Sequence, residues 1–350
     1  MTKEVLSLKE ILKLQEKIVP ELIGLLEKRY NILRTIYYNQ PVGRRSLANN
    51  LNLGERIVRT EINFLKSANL IEVNTAGMIV TSEGEEVLTK LKGFIHEIKG
   101  LSEIEELLRK KLNIKAVIVV PGSVEEDITV MEELGRAAAS YIKGIIKNDD
   151  IIALTGGSTI KEVIDNMPKL QNLHNILVVP ARGGMGKQVE TQANTLAANL
   201  ANKVCGSYKL LHIPDNISDK ALDTMLNERD IKDIICHIKN TNVLIYGIGR
   251  ADEMARRRGV PQEKITELIN MGTVGEAFGC YFDRNGKVVY STPTVGINSS
   301  DIKKISHPIA IAGGKSKAEA ILATERNNEN GVLITDEDAA KEIIRLLKEN

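Results

Sequence analysis

Ile151-Ile-Ala-Leu-Thr-Gly-Gly-Ser-Thr-Ile160 is the stretch whose reading decides the fold of the larger part of this chain. Four apolar residues without alternation read as a strand buried on both faces, as in a parallel sheet. Gly156 and Gly157 then let the backbone approach a ligand closely, and Ser158 and Thr159 bring hydroxyls to a helix N-terminus. Thr155 to Thr159 is therefore an anion site by geometry, with phosphate the expected occupant.

The same grammar repeats on both sides. Ala116–Val120, Ile176–Val179, Leu210–Ile213, Val243–Tyr246, Pro308–Ala312 and Val332–Ile334 are short apolar runs. Helical patterns lie between them at 126–147, 191–204, 231–238 and 317–325, which predicts an α/β domain with a mostly parallel, Rossmann-like sheet. One exception is 276–291, where Asp283-Arg-Asn-Gly286 joins two β-like runs as a hairpin. Two more turns after strands carry glycines and a cation: Pro180-Ala-Arg-Gly-Gly184, with Arg182 suited to bidentate phosphate recognition, and Gly313-Gly-Lys-Ser316, with Lys315. Three converging turns of this kind predict a small ligand with more than one phosphate. Each taken alone is equally an ordinary tight turn. Two nucleotide motifs fail: a P-loop requires Gly where Ile309 stands, and the start Gly247-Ile-Gly249 ends on Asp252 instead of a third glycine.

The character changes near residue 113, so the chain is read as 1–112 and 113–350, in line with 350 residues being more than one domain usually holds. Residues 31–82 predict a winged helix-turn-helix. A helix at 31–39, a short helix from Arg44 to Leu51 and a third from Glu55 to Ala68, with Ile57, Val58, Ile62 and Leu65 inward, precede a hairpin over 70–81. Glu55, Arg56, Arg59, Thr60 and Asn63 share the outward side and are able to reach base edges. Arg44, Arg45 and Ser46 open the second helix, where guanidinium and backbone N–H groups both meet phosphate. Six basic residues, including Arg34, stand against three glutamates over 31–82. Double-stranded DNA is the expected partner, although helix-turn-helix shapes also serve as protein-interaction modules. Before this module, one or two amphipathic helices are expected, divided at Pro20, with Leu22, Ile23, Leu25 and Leu26 on one face. After it, 84–112 reads as one connecting helix; both stripes either pack on their own domain or form a dimer seam.

Composition excludes several classes. With 43% hydrophobic and 27% charged residues the chain is globular, and 47 basic against 46 acidic side chains leave a net charge of +1 that argues for no partner. No apolar run reaches the roughly 18 residues of a membrane span, and no signal peptide is read. Cys205, Cys236 and Cys280 lack CxxC spacing and are odd in number, which points to reduced thiols in a cytoplasmic protein and to no metal site.

These motifs together resemble the SorC family of bacterial sugar-responsive regulators. The resemblance covers nearly the whole chain. Its most specific stretches are Gly43-Arg-Arg-Ser-Leu-Ala48, Glu55–Arg59, Thr155–Thr159, Pro180–Gly184, Gln192-Ala-Asn194 and Gly313–Lys315. The resemblance implies a winged-helix repressor of glycolytic genes with a sugar-phosphate-isomerase-like effector domain, induced by fructose-1,6-bisphosphate. It further implies that Gly156, Gly157, Ser158 and Thr159 cradle one phosphate and that Arg182 and Lys315 hold phosphate. Gln192 and Glu276 are then expected to bond sugar hydroxyls, and Arg257, within Arg256–Arg258, to add a phosphate contact. A homodimer or homotetramer would place two recognition helices on successive half-sites. The alternative is an enzyme on the same effector fold, a sugar-phosphate isomerase or amino-sugar-phosphate deaminase. The deaminases of that fold carry Asp-Gly-His after the Gly-Ile-Gly turn, whereas this chain has Arg250-Ala-Asp-Glu253 there, and His174, His212, His237 and His307 lie elsewhere. No catalysis and no cofactor are expected.

Overall fold

The structure is a computed structural model that describes residues 14, 17–184, 188–213, 224–292 and 295–349. The expected helix before residue 14 lies outside the described residues. The chain divides into two compact units between Glu103 and Ile104.

The first unit begins with helix α1 (Pro20–Asn39), which opens on Pro20 and runs on through the segment expected to be a separate helix from residue 31. Helices α2 (Arg44–Asn50) and α3 (Glu55–Ser67) follow, then the antiparallel hairpin β1 (Ile71–Val73) and β2 (Met78–Val80), paired from Ile71–Val80 to Val73–Met78. Its core gathers Ile32, Ile36, Leu47, Val58, Ile62, Ile71 and Met78 from all of these elements. Ile57, expected inward, is 46% exposed. Helix phase decides this: Val58, Ile62 and Leu65, at spacings of four and three, fill the buried stripe and leave Ile57 one position off it. The connecting segment is two helices, α4 (Ser82–Ile98) and α5 (Leu101–Leu112), because Gly100 adopts a positive φ between them.

The division falls within α5, earlier than the sequence reading after residue 112. Leu108 and Leu112 are fully buried, and the Glu105 carboxylate accepts the backbone N–H of Val119 at 2.7 Å. Most of α5 is thereby part of the second unit.

That unit is built on seven parallel strands. They are β3 (Ala116–Val120), β4 (Ile151–Leu154), β5 (Leu177–Pro180), β6 (Ser207–Tyr208), β7 (Val243–Gly247), β12 (His307–Ile311) and β13 (Val332–Asp336), in the order β3-β13-β12-β7-β4-β5-β6. Strand β6 lies earlier than the expected 210–213. A second sheet of β8 (Gly249–Arg250), β9 (Thr273–Ala277), β10 (Cys280–Asp283) and β11 (Val288–Ser291) is antiparallel, with the Asn-Gly turn joining β10 to β11. Helix α6 (Ile128–Ile145) buries Val130, Leu134, Ala138 and Ile142 at four-residue spacing against the seven-stranded sheet. Helices α7 (Ser158–Asp165) and α8 (Ala193–Lys203) follow β4 and β5. Helix α9 (Arg229–Lys239) precedes β7, and α10 (Ala251–Arg257) and α11 (Gln262–Asn270) separate β8 from β9. The remaining helices are α12 (Ser299–Ile302), α13 (Ala318–Glu325) and α14 (Glu337–Glu349).

Successive strands run outward from β4 in one direction and outward from β7 in the other. The gap between the C-terminal ends of β4 and β7 is thus the topological switch point, where open α/β sheets bind ligands. No helix among the described residues is long and apolar enough to cross a membrane.

Candidate functional site

A cavity of about 440 Å³ opens at that switch point. Its first wall is the turn after β4. The backbone N–H of Thr155 donates to Ile245 O at 2.9 Å, and its hydroxyl accepts from Gly247 N at 3.3 Å, tying the two diverging strands together. Gly156 admits no side chain, since a Cβ there would meet Thr191 O at 2.7 Å. The N–H of Gly157 is donated to that same Thr191 oxygen at 2.8 Å, so it belongs to the loop and not to a ligand. The first bond of α7 runs from Lys161 N to Gly157 O, which leaves the N–H groups of Ser158, Thr159 and Ile160 without an intrahelical acceptor. Thr155, Gly156, Gly157 and Ser158 line the cavity, and Thr159 sits one position into the helix, partly buried beside it.

The second wall is a buried charge cluster. Arg182, from the turn after β5, is 5% exposed, and Glu276, on β9, is 3% exposed; their side chains approach to 3.7 Å. Arg258, just beyond α10, donates to the same Glu276 oxygen at 2.7 Å. Gly279 makes room for this cluster: a Cβ there would lie 2.7 Å from both terminal nitrogens of Arg182. One oxygen of Glu276, Oε1, thus faces both guanidiniums. Arg257 lines the cavity as expected.

Two expected residues stand elsewhere. Lys315 is solvent-exposed and faces Glu342 at 3.9 Å, because the Asp336 carboxylate pins the turn through Gly314 N at 3.0 Å and turns Lys315 outward. Lys317, two residues on, is the less exposed of the two. Burial pushes its ammonium below the usual range, and the Arg257 charge pushes in the same direction. Gln192 begins α8 beside Gly184, and the cavity wall there is formed by Thr191 and Ala193.

In the first unit, α2 and α3 present a separate polar surface. Arg44, Arg45 and Ser46 fill the first turn of α2, and Glu55, Arg56, Arg59, Thr60 and Asn63 lie along α3; all eight are exposed. Arg45 and Glu55 approach to 3.7 Å in solvent. Arg34 is not part of this surface, because the first-unit core buries it to 3% exposure. Beneath the face, Glu61 accepts from Arg29 at 2.8 Å and Lys28 at 3.4 Å. Burial opposes its ionisation, but these two cations outweigh it and hold the carboxyl below its ordinary range. Asn74 shapes the hairpin turn by accepting from the backbone of Ala76 and Gly77.

A helix-turn-helix with a hairpin wing, followed by a ligand pocket at a sheet switch point, matches known proteins throughout. The family model described as a "Putative sugar-binding domain" matches residues 96–345, and the model of the CggR N-terminal DNA binding domain matches 25–95. The chain belongs to the SorC family. A putative SorC family transcriptional regulator from Enterococcus faecalis superposes with a TM-score of 0.65 at 36% identity, over 69% of this chain and 99% of that one. The central glycolytic genes regulator of Priestia megaterium is 42% identical over 97% of this chain and 99% of its own length. That of Bacillus subtilis is 40% identical over 96% and 99%. In this chain the DNA-binding module precedes the sugar-binding domain. Arg258 escapes the sequence reading. Only its neighbour Arg257 in the Arg256–Arg258 run is singled out there, and the packing of the chain just beyond α10 sets which member of such a run turns inward.

Proposed function

We propose that the chain is a repressor of glycolytic genes whose hold on operator DNA is released by a sugar phosphate, with fructose-1,6-bisphosphate as the inducer. The observation that carries this reading is the two-walled cavity at the switch point. One phosphate would lie on the free N–H groups of Ser158 and Thr159 at the start of α7. The other would be met by Arg257, the exposed guanidinium in the cavity wall. Arg182, held by Glu276, stands between as a buried, oriented donor. The names of the relatives support the choice of glycolytic genes.

On the DNA side, α3 enters the major groove with Arg56, Arg59, Thr60 and Asn63, while Arg44, Arg45 and Ser46 hold phosphates. Two or more copies place two such helices on successive half-sites, as a homodimer or homotetramer in the cytoplasm. The inducer shifts the population of DNA-competent states, and it does so only as far as its affinity differs between them.

The chain is read as a regulator and not as an isomerase or deaminase. No histidine lines the cavity among the described residues, and His307 starts β12, at the N-terminal end of the strand and away from the pocket. The test is a thermal-shift and calorimetric panel of fructose-1,6-bisphosphate, fructose-6-phosphate, glucose-6-phosphate, dihydroxyacetone phosphate and phosphate. Ligand at about 100 times its dissociation constant adds roughly 2.7 kcal/mol of stability. Preference for the bisphosphate, with release of promoter DNA, is expected. A flat panel overturns the inducer, and turnover of any hexose phosphate overturns the regulator-only reading.

A further inference from the structure

Helix α3 keeps one apolar stripe outside the core of the first unit. Ile57 is 46% exposed and Phe64 42% exposed, whereas Val58, Ile62 and Leu65 are each 3% exposed or less. Positions 57, 60 and 64 follow one another at helical spacing, so Thr60 lies between the two on the same side. The Thr60 hydroxyl donates to Arg56 O at 3.1 Å, one turn back on its own helix. What Thr60 turns outward is therefore its methyl group. At the far end, the Arg29 guanidinium lies 3.4 Å from the centre of the Phe64 ring and covers one face of it. Glu61 holds Arg29 there, at 2.8 Å. Ile57 and Thr60 form the uncovered end of the stripe, within the first two turns of the helix.

A single exposed isoleucine on a protein surface calls for no explanation. This one runs in line with a methyl group and beside a second, polar stripe of Arg56, Arg59 and Asn63, all exposed. Phosphate oxygens and the polar edges of bases suit the polar stripe and give an apolar side chain nothing to bind. The apolar group that a base pair offers in the major groove is the C5-methyl of thymine. The residues of a recognition helix that reach base edges are those near its N-terminus, where Ile57 and Thr60 stand. We propose that Ile57, together with the Thr60 methyl, receives the C5-methyl of a thymine and sets the preference for thymine at one operator position. That role rests on α3 entering the major groove, and it is independent of which inducer the second unit takes.

For the test, the full chain selects duplexes from a random pool, and the tightest duplex is remade with its thymines replaced one at a time by uracil. That exchange removes a C5-methyl and nothing else. By fluorescence anisotropy, uracil at one thymine of each half-site is expected to weaken binding by the parent chain about fourfold, the worth of burying one such group. Ile57→Ala is expected to bind the thymine and uracil duplexes equally, with the melting temperature unchanged because the position is exposed. Ile57→Val keeps a branched apolar side chain and is expected to keep the preference. A merely structural part for Ile57 would weaken binding to both duplexes alike and leave the preference in place. The proposal is overturned if no uracil exchange weakens binding, or if the preference survives in Ile57→Ala. It is equally overturned if Ile57→Ala changes the subunit stoichiometry in sedimentation, which would assign the stripe to contact between copies. A chain that selects no duplex overturns the reading of α3 and this role with it. A chain that selects a duplex and ignores fructose-1,6-bisphosphate loses the inducer alone.

Discussion

On α3, Arg56 and Arg59 stand in solvent with no ion pair among the described residues, whereas the side chains of Arg182 and Arg258 lie buried around the single carboxylate of Glu276. The contrast separates two ways of holding a cation. An exposed arginine costs the fold nothing, adapts to its partner, and acts through a term that salt screens. A buried one must be held by a counter-charge, and its geometry is set before any ligand arrives. The first kind is open to substitution without loss of stability. The second is coupled to the stability of the domain.

The sharpest way to break this contrast is Glu276→Ala, which strands two buried guanidiniums. It is expected to cost about 3–5 kcal/mol in urea unfolding, and a change under about 1 kcal/mol would mean that solvent reaches the cluster. Next is Glu325, whose carboxyl is pushed up to about 7 by burial, against the Tyr246 and Asn328 hydrogen bonds that pull it down. A raised folded-state value makes the neutral acid the stabilising form. Its contribution is fully present below about pH 4.5 and is lost as pH rises through 7, a decline of order 3 kcal/mol. Glu325→Gln is expected to flatten that slope, measured by unfolding at pH 5.5 and pH 8. An equal slope in variant and parent assigns the pH dependence to other groups.

Arg182→Ala sharpens the comparison from the ligand side. It is expected to lower affinity for fructose-1,6-bisphosphate about 100-fold, with operator binding retained, by calorimetry and fluorescence anisotropy. The smallest effect is expected at Arg59→Ala: about tenfold weaker operator binding, a shallower salt dependence, and stability within about 0.5 kcal/mol of the parent. Weaker operator binding accompanied by a large loss of stability would show that α3 does not follow the exposed rule.

Much of this was legible in the chain. The apolar runs around 151–154, 243–246 and 332–334 have no alternation, and a strand buried on both faces tolerates nothing else. Thr155–Thr159 was equally plain, since a glycine pair between such a strand and a helix leaves the backbone few alternatives. Three kinds of detail were not. Ile57 and Val58 are adjacent apolar residues, and only the packing of α3 on the first-unit core exposes one and buries the other. Gly157 appeared free to bind phosphate, but its N–H is taken by Thr191, a residue 34 positions away in sequence. Lys315 and Lys317 are alike in sequence, and only the fold leaves the first in solvent and partly buries the second.

The sequence by itself determined the two-part organisation, the parallel sheet, the winged helix-turn-helix and the glycine turn after β4. Each depends on local periodicity or on backbone freedom, which a residue carries wherever it is placed. The tertiary structure alone decided which cations meet, that Glu276 is shared between two arginines, and that Ile57 lies outside the core. Those facts depend on side chains brought together from distant turns and on the phase in which each helix packs, and neither is encoded in a local window.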